Sequence, residues 1–331
     1  MSGSGSIELL ASGRMVRYRG RKVIRTPLVV PSFSSKGFSD VEKILKTMEE
    51  AITDCLLVSA YDVYYNYIPS SITFPEVVFV DSGGYECSKD TELSDLGYLE
   101  HHPQLWNQRL YEDALKKWTY DVPTVLISYD HPKERATVAT QVKRAAVLFH
   151  GRKAITELLI KPETEASRYL KIESVLRNIS KFAAFDILGF TEKELGNNLL
   201  SRMVNIARVR LALMKRQLNI PIHIFGSLDP ITTPLYFLAG ADIFDGLTWL
   251  RLAYKDGVSI YTHNFAAMTI GSQIHDDQVQ PRVWFSNYYA MQELQRGMRN
   301  FLNAREFRRF GQHSELFENT YQGLIAELRK E

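Results

Sequence analysis

A chain of 331 residues, 45% of them hydrophobic, is long enough for one large α/β domain or two ordinary ones, and 40 basic against 38 acidic residues leave a net charge of only +2. That near-balance does not announce a nucleic-acid binder, no apolar run is long enough to span a bilayer, and two cysteines, Cys55 and Cys87, are too few for a disulfide framework or a four-cysteine zinc site. The opening Met1-Ser2-Gly3-Ser4-Gly5-Ser6 lacks the apolar centre of a signal peptide, so residues 1–13 read as a flexible polar leader and the expected residence is cytoplasmic with free thiols.

After the leader, Arg14, Arg17, Arg19, Arg21, Lys22 and Arg25 crowd a segment that reads as a hairpin. Eight β-branched or apolar runs follow: Pro27 to Phe33, Asp54 to Ala60, Val77 to Ser82, Thr124 to Asp130, Glu157 to Lys161, Ala183 to Gly189, Pro221 to Gly226 and Ala241 to Leu247. Most are continuously apolar, as parallel strands covered on both faces are, and the stretches between them carry helical spacing, as at Val138, Val142, Ala145, Ala146 and Phe149 before Gly151. Eight such units predict a (β/α)8 barrel over residues 14–285, with residues 286–331 a helical segment packed on it. A second basic cluster, Arg296, Arg299, Arg305, Arg308 and Arg309, falls in that segment; each cluster is either a phosphate track or a solvated face.

In such barrels the chemistry sits at the C-terminal ends of the strands. Here those ends carry Ser59-Ala60-Tyr61, Asp81-Ser82-Gly83-Gly84-Tyr85, Ser128-Tyr129-Asp130-His131, Lys161-Pro162, Leu188-Gly189-Phe190, Phe225-Gly226-Ser227 and Phe244-Asp245-Gly246. An aspartate where a buried strand opens into a glycine turn is held rigidly and partly desolvated, which suits a nucleophile or a general acid/base, although a lone Asp-Ser-Gly-Gly is more often a turn cap. Carboxylates, aromatic faces and approachable backbone together suit a flat heteroaromatic ring. His101-His102 reads as solvated loop, His223 as a satisfied core or pocket histidine, and Trp106, Trp118 and Trp284 as helix packing.

Taken in order, these motifs resemble the tRNA-guanine transglycosylases. Asp81-Ser82-Gly83-Gly84-Tyr85 is similar to that family's Asp-Ser-Gly-Gly-Phe/Tyr, and Asp242-Ile243-Phe244-Asp245 with Arg251 to its Asp-x-Phe-Asp-Cys-x-x-Pro-Thr-Arg. Thr26-Pro27 with Pro31, Asp130, Leu188-Gly189-Phe190-Thr191-Glu192, Phe225-Gly226 and Asn287-Tyr288-Tyr289 through Leu294 extend the resemblance over residues 14 to 305. The resemblance implies a base exchange: Asp245 as nucleophile on the anomeric carbon, and Asp81 as acid/base for the departing and entering bases. It further implies that Asp130 reads ring N–H and amine groups, Leu188 and Gly189 offer backbone groups, Tyr85 and Phe225 sandwich the ring, and Arg251 holds the neighbouring phosphate. Ser82, Gly83, Gly84, Lys161, Gly226 and Ser59 complete the implied pocket.

Departures from the pattern are specific. The family's Cys-x-Cys-x-x-Cys and histidine after the last strand have no counterpart, because no cysteine occurs beyond Cys87; Trp249 and Leu250 precede the arginine, Lys161 replaces a glutamine and Ser59 an asparagine. No metal and no cofactor is therefore expected. The pattern looks like the shortened relatives that act on DNA, the 7-deazaguanine DNA transglycosylases, and implies that guanine in DNA is replaced by a 7-deazaguanine, with the 7-cyano base the first choice. Two alternatives stand beside it: an enzyme acting on tRNA, and a non-catalytic partner subunit of such an enzyme, against which the retention of both Asp81 and Asp245 argues. A homodimer and other proteins of the same modification pathway are compatible with the sequence as partners, and a membrane is not.

Overall fold

The structure, a computed structural model, describes residues 10–88 and 101–330. A hairpin of β1 (Met15–Tyr18) and β2 (Arg21–Arg25) leads into the barrel strands β3 (Leu28–Pro31), β4 (Cys55–Ser59), β5 (Val77–Asp81), β6 (Thr124–Ile127), β7 (Ile155–Ile160), β8 (Ile187–Thr191), β9 (Ile222–Phe225) and β10 (Ile243–Gly246). These eight form one parallel sheet in which each strand lies beside the next in sequence and β10 returns to pair with β3. A parallel bridge between Ser32 and Leu57, with Phe33 N donating to Leu57 O at 2.9 Å, brings β3 against β4 and closes a (β/α)8 barrel. Where that seam leaves the N–H of Val29 without a strand partner, Gln295 Oε1 accepts it at 2.8 Å.

The helices between the strands are α1 (Val41–Met48), α2 (Ala60–Tyr64), α3 (Gln108–Lys117), α4 (Val138–Phe149), α5 (Ile172–Arg177), α6 (Leu199–Lys215), α7 (Thr232–Leu238) and α8 (Thr248–Arg251). A second hairpin, β11 (Ala253–Lys255) with β12 (Val258–Ile260), then leads to α9 (Thr262–Thr269), α10 (Asp276–Ala304) and α11 (Ser314–Leu328). Among the described residues no helix is long and apolar enough to cross a membrane.

Strand alternation decides what reaches the cavity. Successive side chains of a strand face opposite sides, so residues two apart share a face. Leu28 and Val30, Cys55 and Leu57, Val77 and Phe79, Val125 and Ile127, Ile155 and Leu159, with Ile187, Phe225 and Ile243, cluster in the barrel interior, joined by Val16 and Ile24 of the first hairpin. Each such buried side chain contributes about 1.5–3 kcal/mol relative to exposure. The same parity carries Ser59, Asp81, Lys161 and Asp245 inward at the strand ends and Glu157 and His223 inward one layer below. Their neighbours of opposite parity, such as Val58, Val80, Leu188 and Phe244, pack outward among the helices.

Seven strands lie within three residues of their sequence-read limits at either end. The sixth does not: Ile179–Ala184 is a 3-10 helix, and β8 runs Ile187–Thr191. Ala183 and Ala184, read as the start of that strand, end the 3-10 turn, which buries Ile179 and Phe182 against the core. Two other boundaries move. Leu10 and Ala11, assigned to the leader, are buried in the core, where Ala11 O accepts from Arg305 Nη1 at 2.8 Å, and the break at residue 286 falls inside the continuous helix α10. That helix starts on the second hairpin, where Asn287 bonds Tyr254 N, Trp249 O and Leu252 O, and descends to the strand starts, where Arg299 Nη2 donates to Arg25 O at 3.2 Å.

Candidate active site at the strand ends

The C-terminal ends of the strands surround a cavity of about 160 Å³ bordered by Asp81, Tyr85, Asp130, Lys161, Phe225 and Asp245. Asp245 is 5% exposed. Ser32 Oγ donates to its Oδ2 at 2.7 Å and Gly226 N to its Oδ1 at 3.1 Å. Gly226 supplies that N–H from a backbone with φ 73°, which favours glycine. Beneath it, His223 Nε2 lies 3.3 Å from Oδ1, too poorly aligned for a full hydrogen bond, and Nδ1 lies 2.8 Å from Glu157 Oε1.

Asp242, three residues earlier in the same motif, has the opposite strand parity and the opposite fate. It is fully buried at the start of β10, paired with Arg14 Nη1 at 2.6 Å and with Arg210, and it accepts from Ile222 N at 2.8 Å. Arg14 is thereby removed from the basic cluster of the first hairpin, whose Arg17, Arg19, Arg21, Lys22 and Arg25 are exposed.

Asp81 opens onto the cavity but is otherwise enclosed by protein. Burial pushes its carboxyl well above the ordinary aspartate range, and the charges of Asp130 and Glu86 push it further. Gly83 N lies 3.4 Å from its Oδ2. Two glycines make the turn after it possible. Gly83 has φ 85°, and a Cβ there would lie 2.8 Å from Trp106 Nε1, whose N–H is bonded to Ser82 O at 2.9 Å. At Gly84 a Cβ would lie 2.6 Å from both carboxylate oxygens of Asp130, so only glycine lets Asp130 approach. Ser82 Oγ donates to Asp130 Oδ1, locking that carboxylate from the other side.

At the far wall, Lys161 Nζ donates to Thr191 Oγ1 at 2.8 Å and lies 2.9 Å from Glu194 Oε2 and 3.8 Å from Asp130 Oδ2. Tyr85 presents its ring to the cavity with Lys36 Nζ 4.2 Å from the ring centre, and its hydroxyl accepts from Arg251 Nη2 at 2.9 Å. Phe225 lines the cavity and stacks on His223 at 4.0 Å.

Several sequence-read residues sit elsewhere. Leu188 points outward into the core, and Gly189 lies beneath Phe225, where a Cβ would meet the ring at 2.7 Å; both backbones are engaged in the ladders of β7 and β9. Because β8 ends two residues later than read, Thr191, Lys193 and Glu194 occupy the wall assigned to Leu188 and Gly189. Ser59 faces Glu86, donating to Oε2 at 2.8 Å, instead of the cavity. Of the arginines, Arg251 borders the cavity, but Arg296, Arg299, Arg305, Arg308 and Arg309 do not: Arg299 and Arg305 bond backbone carbonyls, Arg296 pairs with Glu293, and Arg308 and Arg309 pair with Glu306. Helix α10 carries Arg296 and Arg299 down the flank of the barrel, away from its mouth.

Glu86, Ser32, Glu157 and Glu194 were not singled out. Glu86 accepts from Ser34 Oγ at 2.5 Å and Ser59 Oγ at 2.8 Å beside Asp81. Glu157 carried a readable signal, since a lone acid within the apolar run Ile155-Thr156-Glu157-Leu158-Leu159 has interior parity and must find a buried partner. Ser32 carried none, as its role depends on barrel closure.

Cys55 is buried in the barrel interior, Cys87 is half-buried by the turn after Asp81, and among the described residues no group of three or more His, Cys, Asp or Glu is gathered. His101 Nε2 contacts Glu86 O at 2.6 Å. No model of a known protein family matches the chain, and no curated protein matches it.

Proposed function

We propose that this cavity exchanges a guanine base of DNA for a 7-deazaguanine through a covalent glycosyl-aspartate. The observation that carries the reading is the pairing of two unlike carboxylates on one cavity. Asp245 accepts hydrogen bonds from Ser32 and Gly226, donors suited to an anion, whereas burial raises the Asp81 carboxyl well above the ordinary aspartate range, which favours its protonated form. Environments that treat two carboxyls so differently divide nucleophile from acid.

In the first half-reaction an oxygen of Asp245 supplies an electron pair to the anomeric carbon. The bond from that carbon to guanine N9 breaks with its electrons passing to the base, and the Asp81 proton neutralises it. In the second, Asp81 takes the N9 proton of the entering base, N9 attacks the same carbon, and Asp245 leaves with the electron pair it had shared. Two displacements at one carbon retain configuration. Asp130, fixed by Ser82 and Gly84, faces the N–H edge of the ring, Tyr85 and Phe225 flank its faces, and Arg251, a buried cation bordering the cavity, serves the adjoining phosphate.

Duplex DNA and tRNA carrying labelled guanine, each incubated with the protein and a 7-deazaguanine, test the reading. Label is released from DNA, single-stranded or mismatched guanines react faster than paired ones because unstacking costs a few kcal/mol, and Asp245→Ala slows release roughly 10³-fold or more while nucleic-acid binding survives. Release from tRNA alone makes the protein a tRNA enzyme, and full exchange by Asp245→Ala removes the nucleophile.

A further inference from the structure

Below the cavity floor lies a buried chain of three groups that the exchange steps above do not use in full: Glu157 on β7, His223 on β9 and Asp245 on β10. His223 is completely buried, and its ring is fixed on every side. Phe225 stacks on it at 4.0 Å, Phe79 meets it edge-on at 5.8 Å, Glu157 Oε1 holds Nδ1 at 2.8 Å, and Nε2 lies 3.3 Å from Asp245 Oδ1. Room for Glu157 exists because residue 189 is glycine: a Cβ there would stand 2.7 Å from Glu157 Oε1. Two charged groups face the imidazole, Glu157 from one strand and Asp245 from another, and the rings of Phe79 and Phe225 pack on it.

An acid in the middle of a barrel is costly unless it is paired, and replacing the pair by apolar groups often stabilises a protein. A pair of this kind that touches the proposed nucleophile therefore has a reason beyond stability. Resting on the reading of Asp245 as nucleophile, we propose that His223, anchored by Glu157, is a positioning residue for Asp245: its Nε2 lies 3.3 Å from Oδ1, a loosely aligned contact that tightens into a hydrogen bond in the half-reactions. When one oxygen of Asp245 bonds the anomeric carbon, the carboxylate loses its charge, and when the entering base displaces it the charge returns. A fixed donor beside Oδ1 favours that return, as preorganised donors do where charge develops. The arrangement orients an imidazole with a carboxylate so that its second nitrogen serves the reacting group. Burial alone would lower the imidazole, but the Glu157 charge and the contacts with Asp245 and Glu157 outweigh it and raise His223 to about 9, the direction that favours a proton on each nitrogen.

Two measurements on the full chain decide the matter. In single-turnover and steady-state exchange, Glu157→Gln, which is nearly isosteric and keeps a hydrogen bond to Nδ1, lowers kcat about tenfold, and His223→Phe lowers it about 10²-fold, each with KM for the entering base within about twofold. His223→Gln, which can still donate, recovers part of the loss; kcat within threefold of wild type in both His223→Phe and Glu157→Gln overturns the inference. Nitrogen-15 NMR of the wild-type imidazole needs no activity. Two protonated nitrogens at pH 7, with the Nε2 signal moved by Asp245→Asn, support the coupling, and a bare Nε2 or an unmoved signal refutes it. If the wild-type protein releases guanine from neither nucleic acid, the exchange reading falls and the NMR result alone judges whether His223 serves Asp245.

Discussion

Ser32 Oγ donates a 2.7 Å hydrogen bond to Asp245 Oδ2 across the seam where β3 meets β10, joining residues 213 positions apart. The bond exists only because the barrel closes. A hydrogen bond to a charged acceptor is worth about 1.5–3 kcal/mol, so Ser32→Ala is expected to lower kcat/KM for guanine release roughly ten- to a hundredfold. Label release from DNA measures it; a change under twofold would mean that Gly226 alone holds the carboxylate.

Gly84→Ala is expected to act through Asp130. The added methyl carbon would stand 2.6 Å from both carboxylate oxygens, which Ser82 also grips, so the carboxylate has to turn away from the cavity. KM for the entering base rises about tenfold or more, the loss of a charge-assisted contact, and the circular dichroism of the fold stays unchanged. Wild-type KM in this variant would separate Asp130 from base reading.

Asp81→Asn couples activity to stability in opposite senses. Because burial raises the native carboxyl above its unfolded value, the native state binds the extra proton, and stability falls as pH climbs from the unfolded value through the native one. Below that window both states are protonated and the penalty is absent. Asn lacks the penalty, so the variant loses exchange yet melts higher at pH 7, by roughly 2 °C or more, and the gain shrinks toward pH 4. Melting curves from pH 4 to 8 check this; a gain independent of pH would contradict it.

The arginines divide by position. Arg251 borders the cavity, whereas Arg299 and Arg305 bond the carbonyls of Arg25 and Ala11. Arg251→Ala is expected to reduce the slope of log affinity against log salt by about one, and alanine at Arg299 or Arg305 to leave the slope unchanged. Filter binding or fluorescence anisotropy between 50 and 200 mM salt, roughly the range in which phosphate contacts are lost, reads the difference. A smaller slope in Arg299→Ala would bring nucleic acid to the strand starts.

The barrel was legible because its signals are local. Continuous apolar runs mark strands covered on both faces, glycines mark the turns after them, and both survive without knowledge of any neighbour. Asp81, Asp130, Lys161 and Asp245 were found at the strand ends and do share one cavity. The reading of Ala183 to Gly189 started the sixth strand four residues early, because its first two residues close the 3-10 turn Ile179–Ala184.

Closure decided the rest. Strand period two tells that Asp242 and Asp245 face opposite ways, but which of them looks inward depends on the whole barrel; the interior went to Asp245 and a buried pair of arginines to Asp242. Ser32, Glu157 and His223 acquire their partners across 213 and 66 residues, through pairings no local pattern encodes. Charge counted along the chain gathered five arginines into one cluster, while helix α10 leads down the barrel flank and each of them finds a carbonyl or a carboxylate within the protein. Composition and periodicity are properties of neighbours in sequence, and a site is a property of neighbours in space, which only the packed barrel creates.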